Sequence, residues 1–460
     1  MIPKPLLDSL QELEGFDEES FLSCHNHPKE ITSIRFNSQK VEALSIDSLN
    51  ELYNLNITKK VPWCNEGFYL AQRPKFTFDP LLHAGVYYVQ EASSMFLDHI
   101  IKHLFGKDDE KVILDLCAAP GGKSTLLANY FTKSVIISNE VIKQRVNILT
   151  ENITKWGHHN CIVTNNDPKD FNELKNFFEL IVIDAPCSGS GLFRKDSKAI
   201  EEWSEQNVKL CGQRQQRIIA EIQHCIKNDG VLIYSTCSYS KTENEDVLDW
   251  MINEFNCNSI KIPIDDNWGI IETLSDENKA FGYRFYPNKL DGEGFFIAAV
   301  SFKKEISKEK YKTQKLLSVS KKEDEIIFNF FEERNHISLF KHNDKINFFI
   351  SKFYAELEVI AAYLYIKKAG VEVGIIKGND IIPAHDLALS FLDLKNFKKI
   401  SLSLEVVLQY LSKKVVIINT EVKGWVLVSY KNVNVGWIKI LDNRINNYYP
   451  TNWRILTSIN

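Results

Sequence analysis

Between residues 111 and 302 the chain alternates short, nearly unbroken runs of Val, Ile and Leu with longer stretches of helical composition: KVILDL, SVIISNE, CIVTNND, LIVIDAP and GVLIYSTC. A strand apolar on both faces must be covered on both, and parallel strands can be joined only by crossover segments, usually helices. The pattern predicts an α/β domain with a doubly wound parallel sheet, in which ligands bind outside the carboxyl ends of the strands. Four of the runs end on or near an acid, Asp115, Glu140, Asp167 and Asp184. Any one alone reads as a loop acid or a helix cap, but their recurrence at successive strand ends lines one crevice with carboxylates.

The first run leads into DLCAAPGGKST, Asp115 to Thr125, which at first sight is a phosphate-binding loop. Such a loop needs a glycine five residues ahead of its Gly-Lys-Ser/Thr, so that consecutive backbone N–H groups wrap the phosphates. Cys117 stands there instead, and Pro120 removes a donor from inside the cradle. A nucleoside triphosphatase is therefore disfavoured. What remains is a strand at Lys111–Leu116, a Gly-rich turn and a helix starting near Lys123, the opening of a cofactor crevice in a doubly wound domain. Glu140, at the end of the second strand and roughly 20 residues past the glycines, stands where ribose hydroxyls are held in dinucleotide folds.

The nine cysteines include no C-x-x-C pair, so no metal site and no disulfide framework is expected. Cys187 in DAPCSGSG and Cys237 in YSTCSYS each follow a buried strand, and their Ser, Gly and Thr neighbours are poor core filler. Both open onto the crevice of the glycine loop. Cys24, Cys161, Cys211, Cys225 and Cys257 read as small buried hydrophobes.

A chain of 460 residues is too long for one core. Glu30 to Leu70 reads strand (EITSIRFN), helix (SIDSLNELYNLN), strand (VPWCNEGFYL). KKEISKEKYKTQK, Lys303 to Lys315, lacks apolar periodicity and reads as a linker; EIIFNFFEER begins another folded region, and KGWVLVSYKNVNVGWIKIL alternates as a hairpin turning near Asn432 to Asn434. The expected division is an N-terminal α+β extension (1–105), a catalytic domain (106–302), a Lys-rich linker (303–325), a mixed α/β domain (326–398) and a β-rich domain (399–460). With 44% hydrophobic and 25% charged residues, no membrane-length apolar run and no signal-peptide order at the start, the expected setting is cytoplasmic. A net charge of −5 argues against nonspecific coating of nucleic acid and leaves local basic patches open.

DLCAAPGGKST, the NE of ISNEV, the ND of TNNDP, IDAPCSGSGLFRKD, YSTCSYSKTENEDV, GEGFFIA and VYYVQEASSM together resemble the Nop/Sun family of RNA cytosine-C5 methyltransferases. EVGIIKGNDIIPAHDLALS and VGWIKILDNRINNYYPTNWRI resemble the C-terminal region of its RsmF-type bacterial members, which act on small-subunit ribosomal RNA. The resemblance implies a Rossmann-like S-adenosylmethionine-dependent methyltransferase domain, an RNA-binding N-terminal extension, a PUA-like RNA-binding C-terminus and a monomer that works on RNA rather than at a membrane. It implies Cys237 as the nucleophile that adds to C6 of the cytosine and gives Cys187 a part in release of the product. Asp184 then contacts the cytosine edge and the methionine portion of the cofactor, and Lys123 supplies positive charge near base and nucleophile. The backbone of Cys117, Ala118, Ala119, Pro120, Gly121, Gly122 and Lys123 approaches the amino acid end of the cofactor, Glu140 takes the ribose and Asp167 the adenine amino group. The target cytosine must be flipped out or single-stranded to reach a cysteine in a crevice.

For RNA contacts, Arg194 and Lys195 follow the flexible SGSG, and the tail holds Arg444, Tyr448, Tyr449, Trp453 and Arg454, which serve either as phosphate and base contacts or as core aromatics with solvated arginines. Residues after about 326 are expected to choose the RNA without contributing to the chemistry. A transfer RNA cytosine methyltransferase would share every catalytic residue, so only the C-terminal resemblance argues against it. A noncatalytic ribosome-assembly factor would have no need of both cysteines.

Overall fold

The computed structural model describes residues 2–41, 45–305, 309–331 and 336–457; parts of the expected linker (306–308) and of EIIFNFFEER (332–334) lie outside these. The N-terminal unit is an antiparallel sheet of β1 (Thr32–Phe36), β2 (Ile57–Val61), β3 (Cys64–Leu70) and β4 (Tyr87–Val89), ordered β2-β3-β1-β4. VPWCNEGFYL, read from sequence as one strand, is divided between two: Val61 pairs with Cys64 across a turn at Pro62 and Trp63, since proline has no N–H to give the ladder. The helix Ile46–Tyr53 begins at Ser45, whose side chain accepts from the Ser48 N–H, and stops at Asn54 in the left-handed conformation.

In the central sheet, β5 (Val112–Asp115), β6 (Val135–Asn139), β7 (Cys161–Thr164), β8 (Phe178–Asp184) and β9 (Ile226–Thr236) run parallel in the order β9-β8-β5-β6-β7. The chain winds outward from β5 through β6 to β7, then returns to lay β8 on the other side of β5. The switch of direction between β5 and β8 parts the connections and leaves a crevice at their carboxyl ends. Beyond β9 the sheet continues antiparallel through β13 (Phe295–Phe302), β12 (Phe281–Phe285) and β11 (Ile271–Leu274), with β10 (Cys257–Ser259) also paired to β13.

The C-terminal part does not stand aside from this sheet. β14 (Leu317–Ser318), β15 (Ile337–His342), β16 (Lys345–Ile350), β18 (Val371–Lys377) and β19 (Asp380–Pro383) form a second sheet, but β17 (Ile366–Ala369) pairs antiparallel with β7 and closes the edge of the central one. Phe349, Leu357, Ile360 and Ala369 share a core with Val112, Leu114 and Ile137. β20 (Lys398–Ser401), β21 (Gly424–Tyr430), β22 (Val433–Ile440) and β23 (Ile445–Asn447) complete the chain. The β21–β22 turn lies at Lys431 and Asn432 (φ 45° and 64°), with Tyr430 paired to Val433, slightly ahead of the Asn432–Asn434 reading. Positive φ at both central residues matches the strand twist, and Asn432 supplies one of them at low cost. This last sheet packs on the first: Ile34, Phe36 and Leu81 share a core with Val407, Tyr410, Val428 and Ile438. No helix among the described residues is long and apolar enough to cross a membrane.

Candidate active site

Outside β5 and β8 lies a cavity of about 830 Å³. Every candidate cofactor residue except Gly121 lines it, as do both Cys187 and Cys237. Gly121 sits just behind at φ +117°, where a side chain would be strained, and starts the helix Gly122–Tyr130. The loop is fixed by its neighbours: Ala118 N–H donates to Asn139 O (2.8 Å), Asn152 Nδ2 to Pro120 O (2.8 Å) and Arg145 Nη2 to Ala119 O (2.5 Å). Its carbonyls are held by side chains rather than its N–H groups being gathered on an anion.

The carboxylates differ in how far they are satisfied. Asp115 is fully buried; Ser124 Oγ donates to its Oδ2 (2.6 Å) while Oδ1 has no partner. Glu140 is 2% exposed; its Oε1 accepts from Ile142 N–H (2.9 Å), and Oε2 lies 3.3 Å from Arg145 without a hydrogen bond. Asp167 caps the short helix Pro168–Phe171, accepting from Lys169 N–H. Asp184 accepts from Ser235 Oγ (2.9 Å) and pairs with Lys123 Nζ (2.8 Å). Buried acceptors without donors call for a ligand that brings donors and positive charge. S-adenosylmethionine fits: it carries an ammonium, a sulfonium, two ribose hydroxyls and an adenine amino group. Glu140 and Asp167, at the ends of adjacent strands, would hold ribose and adenine, with the Asp115–Lys123 loop and Asp184 at the amino acid end.

The two thiols meet opposite this array. Cys187, three residues past β8, and Cys237, directly after β9, come within 3.0 Å, Sγ to Sγ. The hydrogen bond to Cys237, and then burial, push the Cys187 pKa well up. Burial likewise pushes the Cys117 thiol up. The loops carrying the thiols touch backbone to backbone: Gly191 N–H donates to Cys237 O (2.9 Å), and Gly294 N–H to Gly191 O (3.3 Å).

Sequence reasoning missed Glu243. It is fully buried behind the thiols, accepting from Ser188 N–H (2.7 Å), Ser188 Oγ (2.5 Å), Ser238 Oγ (2.6 Å) and Gln215 Nε2 (3.4 Å). One carboxylate thus binds the residue after each cysteine. Burial raises its pKa against these hydrogen bonds.

Other expectations change. Arg194 does not reach into solvent: its side chain is 3% exposed, donating to Lys29 O (2.7 Å) and Gly292 O (3.3 Å), because the SGSG loop folds onto the N-terminal unit. Lys195 remains accessible. Tyr449 is a core residue at 0% exposure, hydrogen-bonded to His83, whereas Arg444, Tyr448 and Arg454 are exposed and Trp453 is half-buried. Cys161, Cys211, Cys225 and Cys257 are buried as expected, but Cys24 is half-buried, since the helix Glu18–Asn26 buries only Phe21 fully. Among the described residues Cys64, Glu66 and Asp98 cluster closely enough for a metal, but Lys102 Nζ already lies between the carboxylates, 2.5 Å from Asp98 and 3.4 Å from Glu66.

Three family models match in order along the chain: the N-terminal domain of 16S rRNA methyltransferase RsmF over residues 2–92, 16S rRNA methyltransferase RsmB/F over 102–301, and the methyltransferase RsmF PUA domain over 397–455. The ribosomal RNA small subunit methyltransferase F of Psychromonas ingrahamii is 29% identical over 94% of this chain and 92% of its own length. That of Pectobacterium atrosepticum is 32% identical over 65% of this chain and 62% of its own length. Among solved structures, a methyltransferase homologue from Pyrococcus horikoshii superposes with TM-score 0.52 and 27% identity, over 65% of this chain and all of that one. NSun6 from the same organism, determined with SFG, gives TM-score 0.55 and 22% identity, over 66% of this chain and 99% of that one. The fold is that of the S-adenosylmethionine-dependent methyltransferases, and the chain belongs to the RsmB/F methyltransferase family.

Proposed function

We propose that this protein methylates C5 of a cytosine in small-subunit ribosomal RNA, as a cytoplasmic monomer, through a covalent adduct between Cys237 and C6. The observation that carries the reading is the meeting of two thiols, 3.0 Å apart, on the wall of the carboxylate-lined cavity. The substrate assignment is supported by the relatives named small-subunit methyltransferases.

C5 of cytosine is too weak a nucleophile to take a methyl group unaided. Cys237, as thiolate, forms a bond to C6 and sends the electron pair of the C5–C6 double bond towards C5. Lys123 and Asp184, paired at 2.8 Å, hold the N3/N4 edge and stabilise the charge that reaches the ring. S-adenosylmethionine supplies the methyl group from its sulfonium. Release then passes the C5 proton to a base, the C5–H electron pair re-forms the C5–C6 double bond, and the C6–S bond breaks with its own pair returning to the sulfur of Cys237. Cys187, hydrogen-bonded to that sulfur, serves this half of the cycle.

The test uses labelled 16S rRNA with Cys237→Ala, Cys187→Ala and the double variant. Cys237→Ala is expected to bind cofactor yet transfer nothing, and Cys187→Ala to accumulate an RNA-linked species on a denaturing gel. A linked band from Cys187→Ala that persists when Cys237 is also replaced would place the nucleophile elsewhere. A band from Cys237→Ala alone would reverse the two roles.

A further inference from the structure

Next to the catalytic cavity lies a second crevice of about 420 Å³, lined chiefly by Lys29, Glu30, Arg73, Arg194, Lys195 and Glu293. Four separate pieces of chain build it: the approach to β1, the segment after β3, the loop that follows Cys187 and the approach to β13. Cations outnumber carboxylates four to two. Glu293 lines both spaces, so the crevice continues the catalytic cavity outward.

Its charges are incompletely used. Arg73 is exposed and forms no ion pair among the described residues, its guanidinium resting 5.3 Å from the centre of the Phe76 ring. Arg194 is almost wholly buried, yet its Nε has no acceptor, and its nearest carboxylate oxygen, on Glu293, stands 3.8 Å away. Lys195 reaches Glu293 only at 3.6 Å, and its side chain is 45% exposed. Lys29 is held by Asp291 at 3.0 Å, so the open groups are a desolvated guanidinium with a free donor and two exposed cations, Arg73 and Lys195, a set that suits a small anion with several acceptor oxygens. A nucleotide strand leaving the cavity through this opening carries such an anion on its backbone.

We propose that this crevice binds a backbone phosphate of the substrate RNA strand adjacent to the nucleotide in the cavity, with Arg194 as the buried donor and Arg73 and Lys195 supplying charge from the rim. The inference rests on the RNA-methylating reading. Phosphate contacts of this kind set register and leave sequence to the base-reading groups.

The test measures binding of a fluorescent single-stranded oligoribonucleotide to the full chain across a range of KCl concentrations. Arg73→Ala with Lys195→Ala is expected to weaken binding roughly five- to tenfold at low salt and to flatten the log–log salt slope by about 0.7 per lost phosphate contact. Calorimetric affinity for S-adenosylmethionine should be unchanged, which shows the variant is folded. A control, Lys310→Ala with Lys312→Ala, removes the same charge elsewhere and should leave the slope alone. Equal losses in the control, or an unaltered slope in the crevice variant, would overturn the proposal. Tight binding of inorganic phosphate, with oligonucleotide binding insensitive to the substitutions, would make this a free-anion site instead. If the wild-type chain binds no oligoribonucleotide, the RNA reading itself falls and the phosphate site with it.

Discussion

Asp115 stands fully buried at the end of β5, and burial, against the hydrogen bond from Ser124, pushes its pKa up to about 7. In the unfolded chain an aspartate ionises near pH 4. Between those values the native state therefore binds more protons than the unfolded one, so stability falls as pH rises through this window, and the loss is complete above it. Asp115→Asn keeps an acceptor for Ser124 and removes the titration. Urea unfolding at pH 5 and pH 8 should show wild type losing roughly 2–4 kcal/mol relative to this variant; an identical difference at both pH values would mean that Asp115 does not titrate as its burial dictates. Asp115 was legible in the sequence because a strand end announces its own position. So were Glu140, Asp167, Asp184, Cys187 and Cys237, each placed by an apolar run just before it. Glu243 was not: it lies in the polar run SKTENEDV, which reads as a solvated helix start, and only the meeting of two distant loops buries it.

Elements carry geometry that no single residue holds. The loop after β8, the loop after β9 and the start of β13 meet at Gly191 and Gly294. A Cβ on Gly191 would lie 2.3 Å from Gly294 O and 2.8 Å from Cys237 O, and one on Gly294 would lie 2.3 Å from the Tyr239 ring. Gly191→Ala must then push the SGSG loop off the Cys237 loop, parting the thiols. The expected outcome is a stability loss of about 1–3 kcal/mol and a fall in methyl transfer of at least tenfold; wild-type turnover in a folded Gly191→Ala protein would show that contact between these loops is dispensable. In sequence these glycines mark flexibility, and nothing local reveals that two backbones need the space. The same limit explains the hairpin hidden in VPWCNEGFYL, where apolar residues run straight through the turn.

At the scale of the whole molecule, the division expected from composition cuts through a shared structure. β17 closes the central sheet against β7, the Tyr365 N–H donates to Asn166 Oδ1 (2.9 Å), and Asn166 directly precedes Asp167 in the candidate cofactor site. A chain ending at residue 325 would bare the β7 edge and the apolar face that Phe349, Leu357, Ile360 and Ala369 cover. Each buried Leu, Ile or Phe contributes about 1.5–3 kcal/mol, so this truncation should unfold at least 10 °C below the full chain and lose cofactor affinity, as scanning calorimetry and titration would show. A truncation with unchanged melting and cofactor affinity would establish the region as a pure selectivity module. The parallel order of the central strands was legible because each buried run is local. The capture of β17 was not, because IKKA carries no mark of its partner. The core joining the first sheet to the last has a consequence during synthesis. Ile34 and Phe36 leave the ribosome early, but Val428 and Ile438, which cover them, emerge almost 400 residues later. At about 5–20 residues per second, the nascent chain keeps that apolar surface bare for roughly 20–80 seconds, long enough to need a chaperone's shelter, and an early stop codon that spares every catalytic residue would release a protein still carrying it.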